Sequence, residues 1–159
     1  IELVEQPVAA HDIKGLKYIT DRTATPIMAD EAVFSPQDAR RVLETGAADM
    51  INIKLMKTGG IYQAVKIANL AQNFGVSCMV GSMIETKLAI TAAAHFAASH
   101  PAVVRFDFDA PLMLSDDILE GGIHYEGKGD QITFPNQPGL GIKSVKESYL
   151  HVIDKERSW

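Results

Sequence analysis

Five short apolar segments, alternating with helical patterns, constrain the fold of this chain more than any other feature. The segments cover residues 1–5, 26–30, 49–54, 76–81 and 103–107. Short apolar runs bounded by turn residues are typical of buried parallel strands. Strands that alternate with helices predict a parallel sheet joined by crossover connections.

Four stretches between or after these segments have helical character. The clearest is predicted to begin after Ser35, an N-cap residue followed by Pro36 at the first helical position, and to end at Gly46. Further helices are expected over residues 11–22, from Ile61 to Gly75, and from about residue 86 to 99. In the helix from Ile61 to Gly75, apolar residues recur at spacings that keep them on one face.

A polar side chain ends or follows each apolar segment. These residues are spaced 25, 24, 28 and 25 positions apart along the chain, and they are Glu5, Asp30, Lys54, Ser82 and Asp107. In a (β/α)8 barrel the carboxyl ends of the strands converge on the active site. An open doubly wound sheet is the rival, but it usually concentrates reactive groups at one switch point. We therefore predict an α/β fold of the TIM-barrel type.

The length limits this prediction to part of a barrel. A complete barrel needs about 250 residues, whereas the chain has 159 and supplies five strand–helix units at most. We expect residues 1–111 to form a partial barrel. Residues 112–143 are expected to form a return segment with a short helix at 112–119, a β-hairpin turning at 127–130 and a loop at 135–143. The tail at 144–159 is left unassigned.

The strand-end residues predict a metal site with a nearby base. Glu5 and Asp30 would face one cavity, where two repelling carboxylates favour Mg²⁺, Mn²⁺ or Ca²⁺. The alternative is that both are solvated or capping acids. Lys54 ends a buried strand and would be a usable general base near a metal, or a lysine that reaches the rim. Lys57 is expected to be an ordinary loop residue.

Asp107 and Asp109 form a second candidate site. Their spacing of two places both carboxylates on one strand face, where they would bind an ammonium group or a second cation. The alternative is a loop with two capping acids. The preceding Arg105 is expected to face the helical layer, and Cys78 to be a core residue.

Composition excludes several classes of function. Lys and Arg total 15 against 20 Asp and Glu, a net charge of −5, which argues against nucleic-acid binding. Apolar runs are too short for a membrane span. A single cysteine excludes an internal disulfide framework and suits a reducing compartment, so a cytoplasmic location is expected.

Five motifs in order carry a resemblance to a known family. The chain resembles the enolase superfamily, muconate-lactonizing subgroup, and in particular the L-Ala-D/L-Glu (dipeptide) epimerases, over about residues 1–143. The motifs are Glu5-Gln6-Pro7, Ala29-Asp30-Glu31, Asn52-Ile53-Lys54 with Thr58-Gly59-Gly60, Gly81-Ser82-Met83-Ile84-Glu85, and Asp107-Phe108-Asp109-Ala110-Pro111. The five segments would correspond to barrel strands 4–8, and the hairpin to the segment that returns to a capping domain.

The resemblance implies a role for each strand-end residue. Glu5 and Asp30 are similar to Mg²⁺ ligands of the fourth and fifth strands, and Lys54 to the acid/base of the sixth. Asp107 and Asp109 are similar to the pair that binds the α-ammonium group of a dipeptide. The implied reaction is inversion at the α-carbon through a metal-stabilised enediolate.

From the same resemblance, Ser82, Met83 and Ile84 of the seventh strand would line the substrate pocket. The family also has a third acidic ligand, a Lys-x-Lys motif and an N-terminal capping domain, which this chain lacks. The isolated chain is therefore expected to bind Mg²⁺ weakly and not to epimerise.

Two interpretations of the function remain open besides dipeptide epimerase. One is an N-acylamino-acid racemase, o-succinylbenzoate synthase or cycloisomerase of the same superfamily; the other is a non-catalytic half-barrel that self-associates through its open edges.

Overall fold

The computed structural model describes residues 1–127 and 131–150, and five parallel strands form its centre. They pair in the order in which they occur along the chain. The strands are β1 (Val4–Glu5), β2 (Ile27–Ala29), β3 (Met50–Ile53), β4 (Ser77–Val80) and β5 (Val103–Phe106). Each pairs in parallel with the next, which confirms the predicted partial barrel sheet.

The connections between these strands are helical, as predicted. The helices are α1 (Ile13–Thr20), α2 (Pro36–Thr45), α3 (Leu55–Thr58), α4 (Ile61–Asn73) and α5 (Lys87–Ser99). The Ser35 hydroxyl accepts from the backbone N–H of Asp38 at the start of α2, and Gly46, at φ 61°, ends that helix. In the part of the chain that the structure describes, none of the helices has both the length and the apolar character that crossing a bilayer requires.

The two faces of the sheet have different contents. The outer face packs against the helices in one large apolar cluster that includes Ile27, Ile51 and Cys78. The inner face carries a small cluster of three methionines, Met28, Met50 and Met79. Parallel strands covered on one side by crossover helices leave the opposite face to line the interior of a barrel.

A bulge in β5 determines which residues of that strand face inward. Cys78 pairs with Val103, whereas the next residue, Met79, pairs with Arg105, so Val104 is an extra residue. Without the bulge, Arg105 would share the outer face with Val103, since strand residues alternate. The prediction that Arg105 faces the helical layer is wrong, because the bulge places it opposite Met79 on the inner face.

The sheet is strongly curved. Arg105 of the last strand donates to the carboxylate of Glu2 at 2.6 Å, and Glu2 lies two residues before the first strand of the sheet. In a flat sheet of five strands the two outer strands would be roughly 19 Å apart, farther than the two side chains reach together. This ion pair across the concave side therefore agrees with barrel-like curvature.

The C-terminal region contains two antiparallel strand pairs. The hairpin β7 (His124–Glu126) and β8 (Gln131–Thr133) is present as predicted, although residues 128–130 of its turn lie outside the described residues. A short helix over 112–119 is wrong. A 3₁₀ helix covers Ala110–Met113 instead, and Leu119–Gly121 is strand β6. Its partner, β9 (Ile142–Val145), spans the expected boundary between 143 and 144; residues 151–159 of the tail are not described.

Candidate active site at the carboxyl ends of the strands

The structure brings the five strand-end residues to one edge of the sheet. Glu5 is the last residue of β1, Asp30 and Lys54 directly follow β2 and β3, and Asp107 directly follows β5. Ser82 follows the fourth strand by two residues. Because the strands are parallel, their carboxyl ends lie together. The spacing in the sequence therefore predicted correctly that these five residues lie at the same edge of the sheet.

Asp30 forms several hydrogen bonds and ion pairs at this edge. Its carboxylate accepts from Lys54 Nζ at 2.6 Å and from Lys57 Nζ at 2.5 Å. Its backbone N–H donates to the side-chain oxygen of Gln6 at 2.9 Å, and the same oxygen accepts from the N–H of Ala32. Gln6 has a φ of 37°, a conformation that costs a non-glycine residue about 1–3 kcal/mol. The two lysines therefore hold the Asp30 carboxylate, and Gln6 holds the backbone that carries it.

Lys57 is a buried part of the site, so the prediction of an ordinary loop residue is wrong. Its side chain is 5% exposed. Besides the Asp30 carboxylate, it donates to the backbone oxygens of Asp30 at 2.6 Å and of Asn52 at 2.9 Å. The short helix α3, which begins after Lys54, turns the chain back so that Lys57 lies beneath the edge.

Glu5 is held by a buried amide. Asn52, which is 1% exposed, donates to the Glu5 carboxylate at 2.7 Å. The oxygen of the same amide has no hydrogen-bond partner within the described part of the chain. Gly81 of the neighbouring strand leaves room for this amide, since a Cβ at position 81 would lie 2.7 Å from its oxygen. The site therefore requires both a small residue at 81 and the amide at 52.

The pKa values of the Glu5 and Asp30 carboxyl groups are shifted in opposite directions. Partial burial raises the pKa of Glu5; the hydrogen bond from Asn52 opposes this rise, and the negative charge of Asp30 adds to it. Burial would also raise the pKa of Asp30, but the hydrogen bonds from Lys54 and Lys57 outweigh it and lower that pKa. Asp30 is thus the firmly ionised member of the pair.

The pKa values of Lys54 and Lys57 are also shifted in opposite directions. Burial alone would lower the pKa of Lys54, but its bond to Asp30 and the nearby acidic charges raise it. For Lys57, burial outweighs the favourable contacts and lowers the pKa. The bond to Asp30 therefore favours the ammonium form of Lys54, whereas burial disfavours the charged form of Lys57.

Asp107 and Asp109 form a close acidic pair on the inner face. Burial, followed by the negative charge of Asp109, raises the pKa of Asp107, and the positive charge of Lys54 opposes the rise. Phe108, between them, points into the outer core and is 5% exposed. Its carbonyl accepts from the Tyr125 hydroxyl of the hairpin at 2.6 Å. The hairpin therefore supports the segment that presents the two acids.

The loop after β4 carries the three residues expected to line a pocket. The Ser82 hydroxyl donates to the backbone oxygen of Asp107 at 3.3 Å, which links this loop to the fifth strand. The side chains of Met83 and Ile84 are 48% and 73% exposed. The buried Glu85 accepts from the N–H of Met83 and so holds the loop in place. Two apolar side chains thus stand exposed on the loop that Ser82 links to Asp107.

The donor set at this edge suits a hard divalent cation. Across residues 1–127 and 131–150 no three His, Cys, Asp or Glu side chains form a cluster that could enclose a metal. Glu5 and Asp30 nevertheless bring two carboxylates close enough for the charge of Asp30 to raise the pKa of Glu5. Oxygen donors of this kind prefer Mg²⁺ over softer metals. The residues present therefore fit part of a Mg²⁺ site.

Sequence reasoning missed three supporting residues. Asn52 carried a usable signal, since it is a polar residue two positions before Lys54 in an otherwise apolar strand and so shares its face. Gln6 and Lys57 carried none, because their roles depend on how the chain turns after a strand. Only the folded backbone brings these two residues to Asp30.

Comparison with known proteins gives a consistent result. The model of the family described as enolase C-terminal domain-like matches residues 1–148. The chain is 64% identical over 142 residues to the L-Ala-D/L-Glu epimerase of Bacillus subtilis (strain 168), which covers 89% of this chain and 38% of that protein. It is 41% identical over 153 residues to the N-succinyl-L-Arg/Lys racemase of Bacillus cereus, covering 96% and 40%.

Solved structures agree with this result. A substrate-liganded complex of the B. subtilis L-Ala-D/L-Glu epimerase superposes with a TM-score of 0.89 at 62% identity over 92% of this chain and 40% of that one. The dipeptide epimerase of Enterococcus faecalis V583, complexed with Mg and L-Leu-L-Tyr, gives 0.86 at 45% identity over 91% and 41%. The chain spans about 40% of the length of these relatives. On the family match and these identities, the chain belongs to the enolase C-terminal domain-like family.

Proposed function

We propose that this chain is part of a Mg²⁺-dependent dipeptide epimerase and carries one catalytic lysine and the site for the substrate's ammonium group. One observation carries the proposal: Lys54, bonded to Asp30, lies at the same sheet edge as Asp107, on which its charge acts. The named activities of the relatives from B. subtilis and E. faecalis support it.

In this proposal each strand-end residue has a separate task. Glu5 and Asp30 would hold Mg²⁺, which supplies a Lewis acid that stabilises negative charge on the substrate's carboxylate oxygens. Asp107 and Asp109 would bind the α-ammonium group, since two close carboxylates are stabilised by one cation. The exposed Met83 and Ile84, with Ser82, would contact the dipeptide side chains.

The reaction needs two proton transfers on opposite faces of one carbon. The neutral amine of Lys54 takes the α-proton, and the C–H electron pair moves into the carboxylate to give the enediolate. An acid on the other face returns a proton to the α-carbon, which inverts it. In the reverse direction the Lys54 ammonium is the acid. We assign the second acid/base to a part of the enzyme outside this chain, so the chain alone would not epimerise.

The experiment fuses this chain to the part of the B. subtilis relative that it does not cover and follows α-proton exchange of L-Ala-L-Glu in D₂O by NMR. Lys54→Ala should abolish exchange from one face, because the amine that removes the proton is lost. The control is Lys14→Ala, at an exposed lysine of α1, which should retain exchange. Exchange and inversion that survive Lys54→Ala would refute the assigned role.

Racemisation of an N-acylated amino acid is the second candidate, because the B. cereus N-succinyl-L-Arg/Lys racemase is also a close relative. The acidic pair favours a free amine over a neutral N-acyl group. In the same fusion, Asp107→Asn should raise KM for L-Ala-L-Glu much more than KM for an N-succinyl amino acid. Equal losses for both substrates, or faster turnover of the N-succinyl substrate, would favour the racemase.

A further inference from the structure

Asp30 has two ammonium partners with different surroundings. Lys54 makes one hydrogen bond to the Asp30 carboxylate, and its side chain is 15% exposed. Lys57 is 5% exposed, and its three donors go to the Asp30 carboxylate, the Asp30 carbonyl and the Asn52 carbonyl. An ammonium group has three N–H donors, so these three acceptors satisfy Lys57 completely.

The bonds of Lys57 connect the ends of two strands. One acceptor is the carbonyl of Asp30, just after β2, and another is the carbonyl of Asn52, within β3. Moving Lys57 away would leave two backbone carbonyls and a carboxylate oxygen in a buried place without a donor, which is costly. Moving Lys54 would break a single hydrogen bond, and its side chain is less deeply buried than that of Lys57.

We propose that Lys57 is the positioning residue of Asp30: it holds the carboxylate at the sheet edge permanently, while Lys54 is the partner that can leave. This inference deepens the proposed function, on which its catalytic consequences rest. Lys57 does not touch the reacting carbon. It acts through Asp30, whose second oxygen becomes available to a cation when Lys54 moves to the substrate.

The first test uses the chain as it is and requires no catalysis. Lysine ammonium protons normally exchange with water too fast for detection, unless burial and hydrogen bonding protect them. In a side-chain ¹H–¹⁵N spectrum at mildly acidic pH, Lys57 should give a persistent signal that disappears in Lys57→Met. Its exchange should be at least about tenfold slower than that of Lys54. Exchange as fast as that of the exposed Lys14 would overturn the proposal.

The second test uses the fusion protein and compares Lys57→Met with Lys54→Met. Binding of Mg²⁺ alone is measured by calorimetry, together with kcat and KM for L-Ala-L-Glu. Lys57→Met should weaken Mg²⁺ binding about tenfold or more and lower kcat more than it changes KM. Lys54→Met should abolish inversion without weakening Mg²⁺ binding, since Lys57 still holds the carboxylate.

The direction in which Lys57→Met changes the Mg²⁺ affinity distinguishes a positioning role of Lys57 from a simple effect of its charge. If Lys57 were only a positive charge near the site, its removal would leave Mg²⁺ binding unchanged or tighten it, and that outcome overturns the proposal. If Lys57→Met fails to fold, the ammonium spectrum of the unmodified chain still decides. If the unmodified fusion shows no α-proton exchange, the proposed function fails, whereas the exchange rates and Mg²⁺ affinities still test Lys57.

Discussion

Replacing Gly81 by alanine tests how tightly the amide of Asn52 is enclosed. A Cβ at position 81 would lie 2.7 Å from the amide oxygen, 2.9 Å from the amide nitrogen and 3.2 Å from Cγ of Asn52. Gly81 does not have a positive φ, so alanine is compatible with its backbone. The closest conflict is therefore with the side chain of Asn52, which is 1% exposed and has little room to move.

The expected cost can be worked out from this geometry. Displacing the amide breaks its hydrogen bond to the ionised Glu5, worth about 1.5–3 kcal/mol, and overpacking adds about 1–3 kcal/mol. The reduced freedom of the unfolded chain offsets about 0.4–1 kcal/mol. We expect Gly81→Ala to lower the free energy of unfolding by about 1.5–5.5 kcal/mol, which corresponds to a decrease of roughly 3–22 °C in Tm.

The assay is urea and thermal unfolding followed by far-ultraviolet circular dichroism, with a double-mutant cycle as the control. Asn52→Ala removes the obstructing amide, so adding Gly81→Ala to it should cost nothing further. A coupling free energy near the full cost of Gly81→Ala would support the steric explanation. A Gly81→Ala variant as stable as the unmodified chain, or additive effects in the double variant, would refute it.

Two further predictions concern buried titratable groups. Burial raises the pKa of Tyr125 to about 12, above its ordinary value near 10. The stabilisation that comes from keeping the phenol neutral is therefore present below pH 10 and is lost as the pH rises towards 12. Tyr125→Phe should remove this loss of stability at alkaline pH and cost about 1 kcal/mol of unfolding free energy at neutral pH. A Tyr125→Phe variant with the same loss of stability at alkaline pH would contradict this prediction. Burial also raises the pKa of Cys78 from 9.0 to about 12, so alkylation at pH 8 should be about 10³-fold slower in the native chain than in urea; equal rates would show that β4 is not packed as described.

Much of the fold could be predicted because local chemistry and the global fold agree. Ser35, Pro36 and Gly46 delimit α2 in the sequence as they do in the structure, and the apolar runs that predict strands form the sheet. The region after Asp109 was less predictable. Residues 112–119 have helix-compatible side chains, but the pairing of Leu119–Gly121 with the distant Ile142–Val145 overrides that local preference.

The candidate site could likewise be predicted only in part. Strand-end positions follow from the period of the chain, so Glu5, Asp30 and Lys54 could be assigned to one edge. Lys57 could not, because its burial depends on the turn made by α3, and lysine is normally exposed. Arg105 could not either, because alternation along a strand predicts the wrong face when an extra residue is present.

That extra residue, Val104, sets which side of the sheet the acidic pair faces. It has no partner on β4, since Cys78 pairs with Val103 and Met79 with Arg105. If Val104 paired with Met79 instead, every later residue would turn to the opposite face, so Asp107 and Asp109 would point among the helices while Phe106 and Phe108 turned inward. A shift of register by one residue, with no change of sequence, would thus exchange an anionic surface for an aromatic one in the mouth of the barrel.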